Sequence, residues 1–204
     1  MSFYEKHILP RLLDLSMRHR GLMPYRRRTI AAASGVVLEI GVGSGLNLPL
    51  YETDVDRVYG IDPSPQLIEL AKKRTKQADR LVFLARASAE ELPFTGGSFD
   101  SVVTTWTLCT IPDVLGALRE MQRVLKPDGR LLFVEHGLAP DRGIARWQNW
   151  LTPCWKRIGG GCHLNRKMDD LIRAAGFQIT QLQTSYMEGP KPMTFMYQGS
   201  ARPG

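Results

Sequence analysis

The stretch Glu39-Ile40-Gly41-Val42-Gly43-Ser44-Gly45 has residue types and a spacing that could do chemistry. Glycine turns tightly and lets a ligand approach the main chain with no Cβ in the way. A loop of this kind, where a strand runs into a helix, suits a nucleotide or one of its relatives. The dinucleotide fingerprint G-x-G-x-x-G would place its third glycine at position 46, where Leu46 stands. Here the spacing is G-x-G-x-G, with Glu39 two residues before the first glycine. A pyrophosphate gains from a helix N-terminus and gains nothing from a neighbouring carboxylate. A cationic sulfonium and ammonium would tolerate Glu39, so the charge pattern favours S-adenosylmethionine over NAD. Asp62 follows Gly45 by 17 residues, at the end of the next apolar run and just before Pro63. A carboxylate there can accept hydrogen bonds from both hydroxyls of a ribose. Its plain alternative is an acid at a helix N-terminus. Ser44, Asn47 and Pro63 are further candidates for cofactor contact.

Two residues could act on a second substrate. His136 ends an apolar run at the sheet edge where α/β proteins bind ligands, and is the candidate proton acceptor. Its alternative role is a histidine bonded to backbone carbonyls. Cys109 is either a small apolar packing residue or a catalytic methyl relay, through a covalent intermediate that direct transfer from a sulfonium does not need. The three cysteines, Cys109, Cys154 and Cys162, are too few and scattered for a disulfide framework. With no C-x-x-C pair, no metal site is expected.

Alternating patterns must position these residues. Runs at 36–40, 57–61, 81–85, 101–105 and 131–135 read as strands. Between the second and third, residues 64–77 repeat apolar positions at helical spacing, with Ser64 placed to cap and Pro65 in the first turn. A further helix is expected over about 112–125, a turn at Pro127-Asp128-Gly129, and a helix near 166–175 stopped by Gly176. Runs 177–183 and 193–198 then form an antiparallel pair. This order predicts one α/β domain over 1–204: a Rossmann-like, seven-stranded, mostly parallel sheet with an antiparallel edge strand and helices on both faces. We divide it into an N-terminal helical cap (about 1–33), a core (about 35–136) and an insertion (about 139–164). The insertion carries Trp147, Trp150 and Trp155 and is expected to lid the site.

The core pieces together resemble the class I S-adenosylmethionine-dependent methyltransferases of the large group that includes the ubiquinone/menaquinone methyltransferases. The pieces are the glycine loop, Asp62, Ala87-Ser88-Ala89-Glu90-Glu91-Leu92-Pro93-Phe94 and Val124-Leu125-Lys126-Pro127-Asp128-Gly129-Arg130. The resemblance implies that Ser88, Ala89 and Glu90 hold the adenine, with Ser88 where the family usually has an aspartate. It also implies main-chain contacts to the methionine end from Thr105 and Trp106. S-adenosylhomocysteine would be the product. The segments Leu108-Cys109-Thr110, Phe133-Val134-Glu135-His136, Trp147 to Trp155 and Gly161-Cys162-His163-Leu164-Asn165-Arg166 further resemble the alkyl thiol methyltransferases known as methyltransferase-like 7 proteins.

The resemblance implies a small-molecule methyl acceptor, and a small thiol fits best. Roughly, a free thiol has a pKa near 8.5, so some thiolate is present at neutral pH and a cationic surrounding increases it. Direct in-line transfer then needs little beyond alignment. A quinone-precursor C- or O-methyltransferase, a phospholipid headgroup N-methyltransferase and a cofactor-binding regulatory protein are the alternatives. The net charge of +7 comes without interleaved aromatics or a reader module, so no nucleic-acid partner is expected, and Arg26-Arg27-Arg28 reads as a solvated basic run. The first helix is amphipathic, with Phe3, Ile8, Leu12, Leu15 and Met23 on one side. It is expected to pack over a pocket, or to touch an anionic membrane surface weakly through Lys6, Arg11, Arg18 and Arg20. Charges interrupt every apolar run of membrane-spanning length, so a cytoplasmic location is expected.

Overall fold

The computed structural model describes residues 3–204 and, of residues 5 and 6, the backbone alone. The side chain of Lys6, one of the basic residues named above, therefore lies outside the described residues. Seven strands form one sheet: β1 (Gly35–Ile40), β2 (Val55–Ile61), β3 (Leu81–Ala85), β4 (Phe99–Thr105), β5 (Leu125–His136), β6 (Phe177–Tyr186) and β7 (Phe195–Pro203). Their order is β3-β2-β1-β4-β5-β7-β6. The first five pair in parallel, and β7 runs antiparallel to both β5 and β6. The Pro127-Asp128-Gly129 turn falls inside β5 as an irregularity: Phe99 pairs with Leu125 and Ser101 already with Arg130.

Strand periodicity explains why both faces are covered. On one face Val37, Val103 and Leu132 pack with Ile30, Leu48, Ile68 and Ala71. Those partners come from α2 (Met23–Ile30), the turn after β1 and α3 (Pro65–Thr75). On the other face Leu38, Val102, Leu131 and Phe133 pack with Leu118, Met121 and Ile172, from α4 (Val114–Val124) and α6 (Met168–Ala174). Ser64 caps α3 as its position suggests, accepting from the Leu67 N–H at 3.3 Å.

Three expectations change. The glycine loop does not enter a long helix; a single 3₁₀ turn, Leu48–Leu50, follows it before Tyr51 returns to extended backbone. The first helix, α1 (Leu9–Ser16), does cover a cavity, but with Leu9, Pro10, Leu13 and Met17. Phe3, Ile8, Leu12 and Leu15 face solvent instead. Finally, the insertion is mostly one helix, α5 (Arg142–Ile158), on which Trp147 and Trp150 are exposed. Gln148, fully buried, fixes α5 to the end of β5: it accepts from the Ala139 N–H and donates to the Gly137 carbonyl, both at 2.8 Å.

Candidate active site

Strands β1, β2 and β4 end at a common sheet edge, and their loops wall a cavity of about 970 Å³. From β1 come Gly41, Val42, Gly43 and Ser44; from β2, Asp62, Pro63 and Ser64; from the loop after β3, Ala87 to Glu90; from β4, Thr105, Trp106 and Thr107. Helix α1 covers it, and the C-terminal end of α5 with Gly159 to Gly161 closes one side. Of the sequence-predicted cofactor residues, Gly41, Gly43, Ser44, Asp62, Pro63, Ser88, Ala89, Glu90, Thr105 and Trp106 line this cavity. Glu39, Gly45 and Asn47 stand behind its wall.

Backbone conformation explains the glycines. Gly41 has φ +66° and packs so close to the Thr107 side chain that a Cβ would collide with it. Gly45, φ +80°, lies against Leu48 and Ala71 and fixes the loop to α3. At Gly43, φ +55°, a Cβ would meet only the Gly41 carbonyl at 3.8 Å, so that side of the loop is left open. Trp106 has φ +52°, a conformation that bulky residues avoid. Its backbone N–H is held by the Val134 carbonyl at 2.8 Å, and its ring lies under Arg26, whose guanidinium carbon sits 4.9 Å from the ring centroid. The indole N–H of Trp106 is buried without a partner.

Asp62 is the end of the cofactor arrangement that faces the cavity. Its two carboxylate oxygens accept one backbone N–H each, from Gly43 at 3.1 Å and Ser64 at 2.8 Å. Each oxygen keeps acceptor capacity toward the cavity. Burial pushes its carboxyl up to about 6, against the pull of those two N–H groups. Glu39 is 1% exposed and accepts from Asn47 Nδ2 at 2.7 Å and the Tyr51 hydroxyl at 2.9 Å. Asn47 also donates to Thr105 Oγ1 at 3.0 Å and accepts from Arg26 at 2.6 Å. Burial raises Glu39 to about 7, and lowers Arg26 to about 10. Glu39 and Asn47 thus act as a buried brace under the loop, with the Glu39 carboxylate charge felt through it. Arg26, read above as solvated, is 4% exposed because α2 turns it inward with Leu22 and Ile30. Helical spacing from those two apolar residues was the available signal.

His136 and Cys109 do not line the cavity. Both are buried behind its wall with Cys162, which the sequence reading left out of the site. His136 Nε2 lies 3.1 Å from Cys162 Sγ, while its Nδ1 finds no partner. The Cys162 thiol is held well below the usual thiol range by hydrogen bonds from Cys109 and His136. Cys109 is pushed up by its bond to Cys162 and by burial. Burial works against a charged His136 ring, but its contact with Cys162 outweighs it and raises the pKa. Arg166 pins the neighbouring segment, donating to the carbonyls of Leu108 and, at 2.7 Å, Ile111.

Comparison with known proteins decides the family. Residues 38–133 match the family model described as a methyltransferase domain. Thiol S-methyltransferase TMT1B of Homo sapiens is 34% identical over 175 residues, 82% of this chain and 69% of that protein. The chain belongs to the S-adenosylmethionine-dependent methyltransferases. The Rattus norvegicus TMT1B is 37% identical over 153 residues, 72% of this chain; the match spans 62% of the rat protein's length. A phosphatidylethanolamine N-methyltransferase of Cereibacter sphaeroides is 36% identical over 62% of this chain and 68% of its own. Among solved structures, an S-adenosylmethionine-dependent methyltransferase from Thermotoga maritima superposes with a TM-score of 0.69 at 26% identity, covering 97% of this chain and 99% of that one.

This family's cofactor is S-adenosylmethionine, and the residues present fit it. Asp62 offers a buried carboxylate with free acceptor capacity for a ribose. The side of Gly43 is open for close approach, and Ser88 to Glu90 wall the end where the resemblance places the adenine. The short turn after the glycine loop provides no long helix dipole to attract a pyrophosphate, and the buried Glu39 suits a cationic ligand.

Proposed function

We propose that this methyltransferase acts on the sulfur of a small thiol. The supporting observation is the charge of the cavity wall away from Asp62. That wall is formed by Leu9, Leu13, Thr110, Ile111, Lys156, Arg157 and Gly159 to Gly161. It brings two cations to an otherwise apolar surface, and no imidazole lines it among the described residues. Asp14, the acid on the α1 side, is held by Arg18 and, at 3.0 Å, by Arg74. Such a wall favours an acceptor that arrives already ionised and offers little help to one that must first lose a proton from carbon. A thiolate meets that condition near neutral pH. When bound, S-adenosylmethionine supplies an electrophilic methyl on a sulfonium, which a thiolate accepts by direct in-line attack to give a thioether and S-adenosylhomocysteine. The chain's own contribution is alignment and exclusion of water: α1 and the end of α5 cover the cavity, and Lys156 and Arg157 raise the thiolate fraction. The likeness to TMT1B supports the same acceptor class.

A membrane-surface contact is a second part of the proposal. Phe3, Leu12 and Leu15 are exposed, as are Trp147, Trp150 and Ile158 of α5, and the Tyr4 hydroxyl ties the N-terminal segment to the end of α5 by donating to the Ile158 carbonyl at 2.7 Å. No helix of the described residues is long and apolar enough to cross a membrane. The test of the acceptor is S-adenosylhomocysteine formation against small thiols, a demethylated quinone precursor and phosphatidylethanolamine vesicles. Turnover with thiols alone is expected. Turnover with quinone or lipid and none with thiols would overturn the acceptor while leaving the family intact.

A further inference from the structure

Cys109, His136 and Cys162 are remote in sequence and meet only in the fold. Cys109 lies between β4 and α4, His136 ends β5, and Cys162 follows the glycine turn after α5. Their Sγ, Nε2 and Sγ atoms all lie within 4.8 Å of one another, and the residues are 2%, 9% and 8% exposed. The frame around them is tied by backbone bonds, His163 N–H to the Cys109 carbonyl at 2.8 Å and Gly137 N–H to the Phe195 carbonyl at 2.9 Å. Beyond each other the two sulfurs have weak partners, the Trp106 carbonyl 3.7 Å from Cys109 Sγ and the Trp155 side chain beside Cys162, and His136 Nδ1 has none. Two sulfurs and an imidazole nitrogen are the donor set of zinc and similar thiophilic cations. Around tetrahedral zinc such atoms sit about 3.5 to 3.8 Å apart. The 3.1 Å between His136 Nε2 and Cys162 Sγ is within a few tenths of an ångström of that range.

We propose that Cys109, His136 and Cys162 bind a thiophilic divalent cation of the zinc type, with one coordination position left for the sulfur of the methyl acceptor. Binding releases two protons to solvent, one from Cys109 and one shared by the Cys162–His136 pair, and leaves two thiolates and a neutral imidazole as ligands. Three protein ligands are the count of a site that keeps a fourth position open. Thr110 and Gly161, the chain neighbours of Cys109 and Cys162, line the cavity, so the free position is reached from the acceptor side. A thiol that enters it gives its proton to solvent and is bound as thiolate, which removes the need for a base on the wall. The role of the fourth position rests on the thiol reading; the cation site itself does not.

The test is metal analysis of the purified full chain, followed by cobalt(II) exchange and absorption spectroscopy. About one cation per chain is expected, with thiolate-to-cobalt charge-transfer absorption after exchange. Cys162→Ser and Cys109→Ser lose the cation, whereas Cys154→Ser, changing the exposed cysteine, retains it. If a serine variant fails to fold, thiol titration of folded Cys154→Ser gives the same answer: both remaining thiols react only after a chelator is added. Metal-free protein that takes up no cobalt, or a Cys109–Cys162 disulfide in its place, would overturn the site. Adding a small thiol shifts the cobalt spectrum if the fourth position takes sulfur. An unshifted spectrum with cation present and thiol turnover intact would overturn that part alone, and absent thiol turnover would instead fault the acceptor.

Discussion

Replacing Asp62 with alanine is expected to weaken cofactor binding at least tenfold. Hydrogen bonds to a charged acceptor contribute about 1.5 to 3 kcal/mol each. Two of them to a ribose would total about 3 kcal/mol at the low end, and water filling the vacated space recovers part. A loss of about 1.4 kcal/mol, tenfold in Kd, is therefore a lower bound. The substitution also strands the N–H groups of Gly43 and Ser64, which the carboxylate now satisfies at 3.1 and 2.8 Å. Asp62→Asn separates the two effects, because an amide keeps one acceptor oxygen in place.

The pH dependence gives an independent handle. Burial holds the Asp62 carboxyl at about 6, so ribose recognition needs a form that becomes scarce below that pH. At about pH 5 roughly a tenth of the carboxyl is ionised, and apparent affinity falls about tenfold from its plateau above pH 7. Calorimetric titration of S-adenosylhomocysteine into wild type and Asp62→Asn between about pH 5 and pH 8 reads this directly. Wild type should lose affinity as pH falls, and the Asn variant should lack that step. Equal affinity in Asp62→Ala, or identical pH profiles for wild type and the Asn variant, would refute the assignment of Asp62 to the ribose.

Arg26→Ala breaks a buried network through Asn47 to Glu39, and a loss of about 3 to 5 kcal/mol in stability is expected by chemical denaturation. Without Arg26 the Glu39 carboxyl moves above its present value of about 7. The folded chain then holds a proton that the unfolded chain releases, so the loss is greater at about pH 8 than at about pH 6; a loss that shrinks with rising pH would contradict this. Gly41→Ala should destabilise far more than Gly43→Ala, since only the first adds a methyl against Thr107 while both keep a positive φ. Equal melting temperatures would refute that packing argument. Vesicles carrying anionic lipid should retain the protein at low salt, and Leu12→Gln with Trp150→Gln should release it. Retention unaffected by salt or by both substitutions would remove the membrane contact.

The elements that carry the sheet were readable because their signals are local. Val36 to Ile40 and Ser101 to Thr105 are apolar runs of strand length, and Ser64 with Pro65 marks a helix start within three residues. The cofactor loop was readable for the same reason: Gly41 to Asp62 spans one strand-loop-strand unit, and the glycine positions follow from φ alone. What escaped depends on which way a side chain turns once distant elements pack. The first helix is apolar on two sides, so its composition permits both Leu9 with Leu13 and Leu12 with Leu15 as the inward face. Contact with the cavity selects the first pair. Arg26 sits in a triplet of arginines whose charges read alike, yet only its position four residues from Leu22 and from Ile30 places it in the core. Cys162 and His136 are 26 residues apart with a 17-residue helix between them, and no spacing rule links them. Their meeting follows from Gln148 fixing α5 to the end of β5 and from the positive φ of Gly160 and Gly161, which turns the chain back toward Cys109. A motif search sees ligands close in sequence. A site assembled by a helix doubling back on a sheet edge becomes visible only when that packing is known.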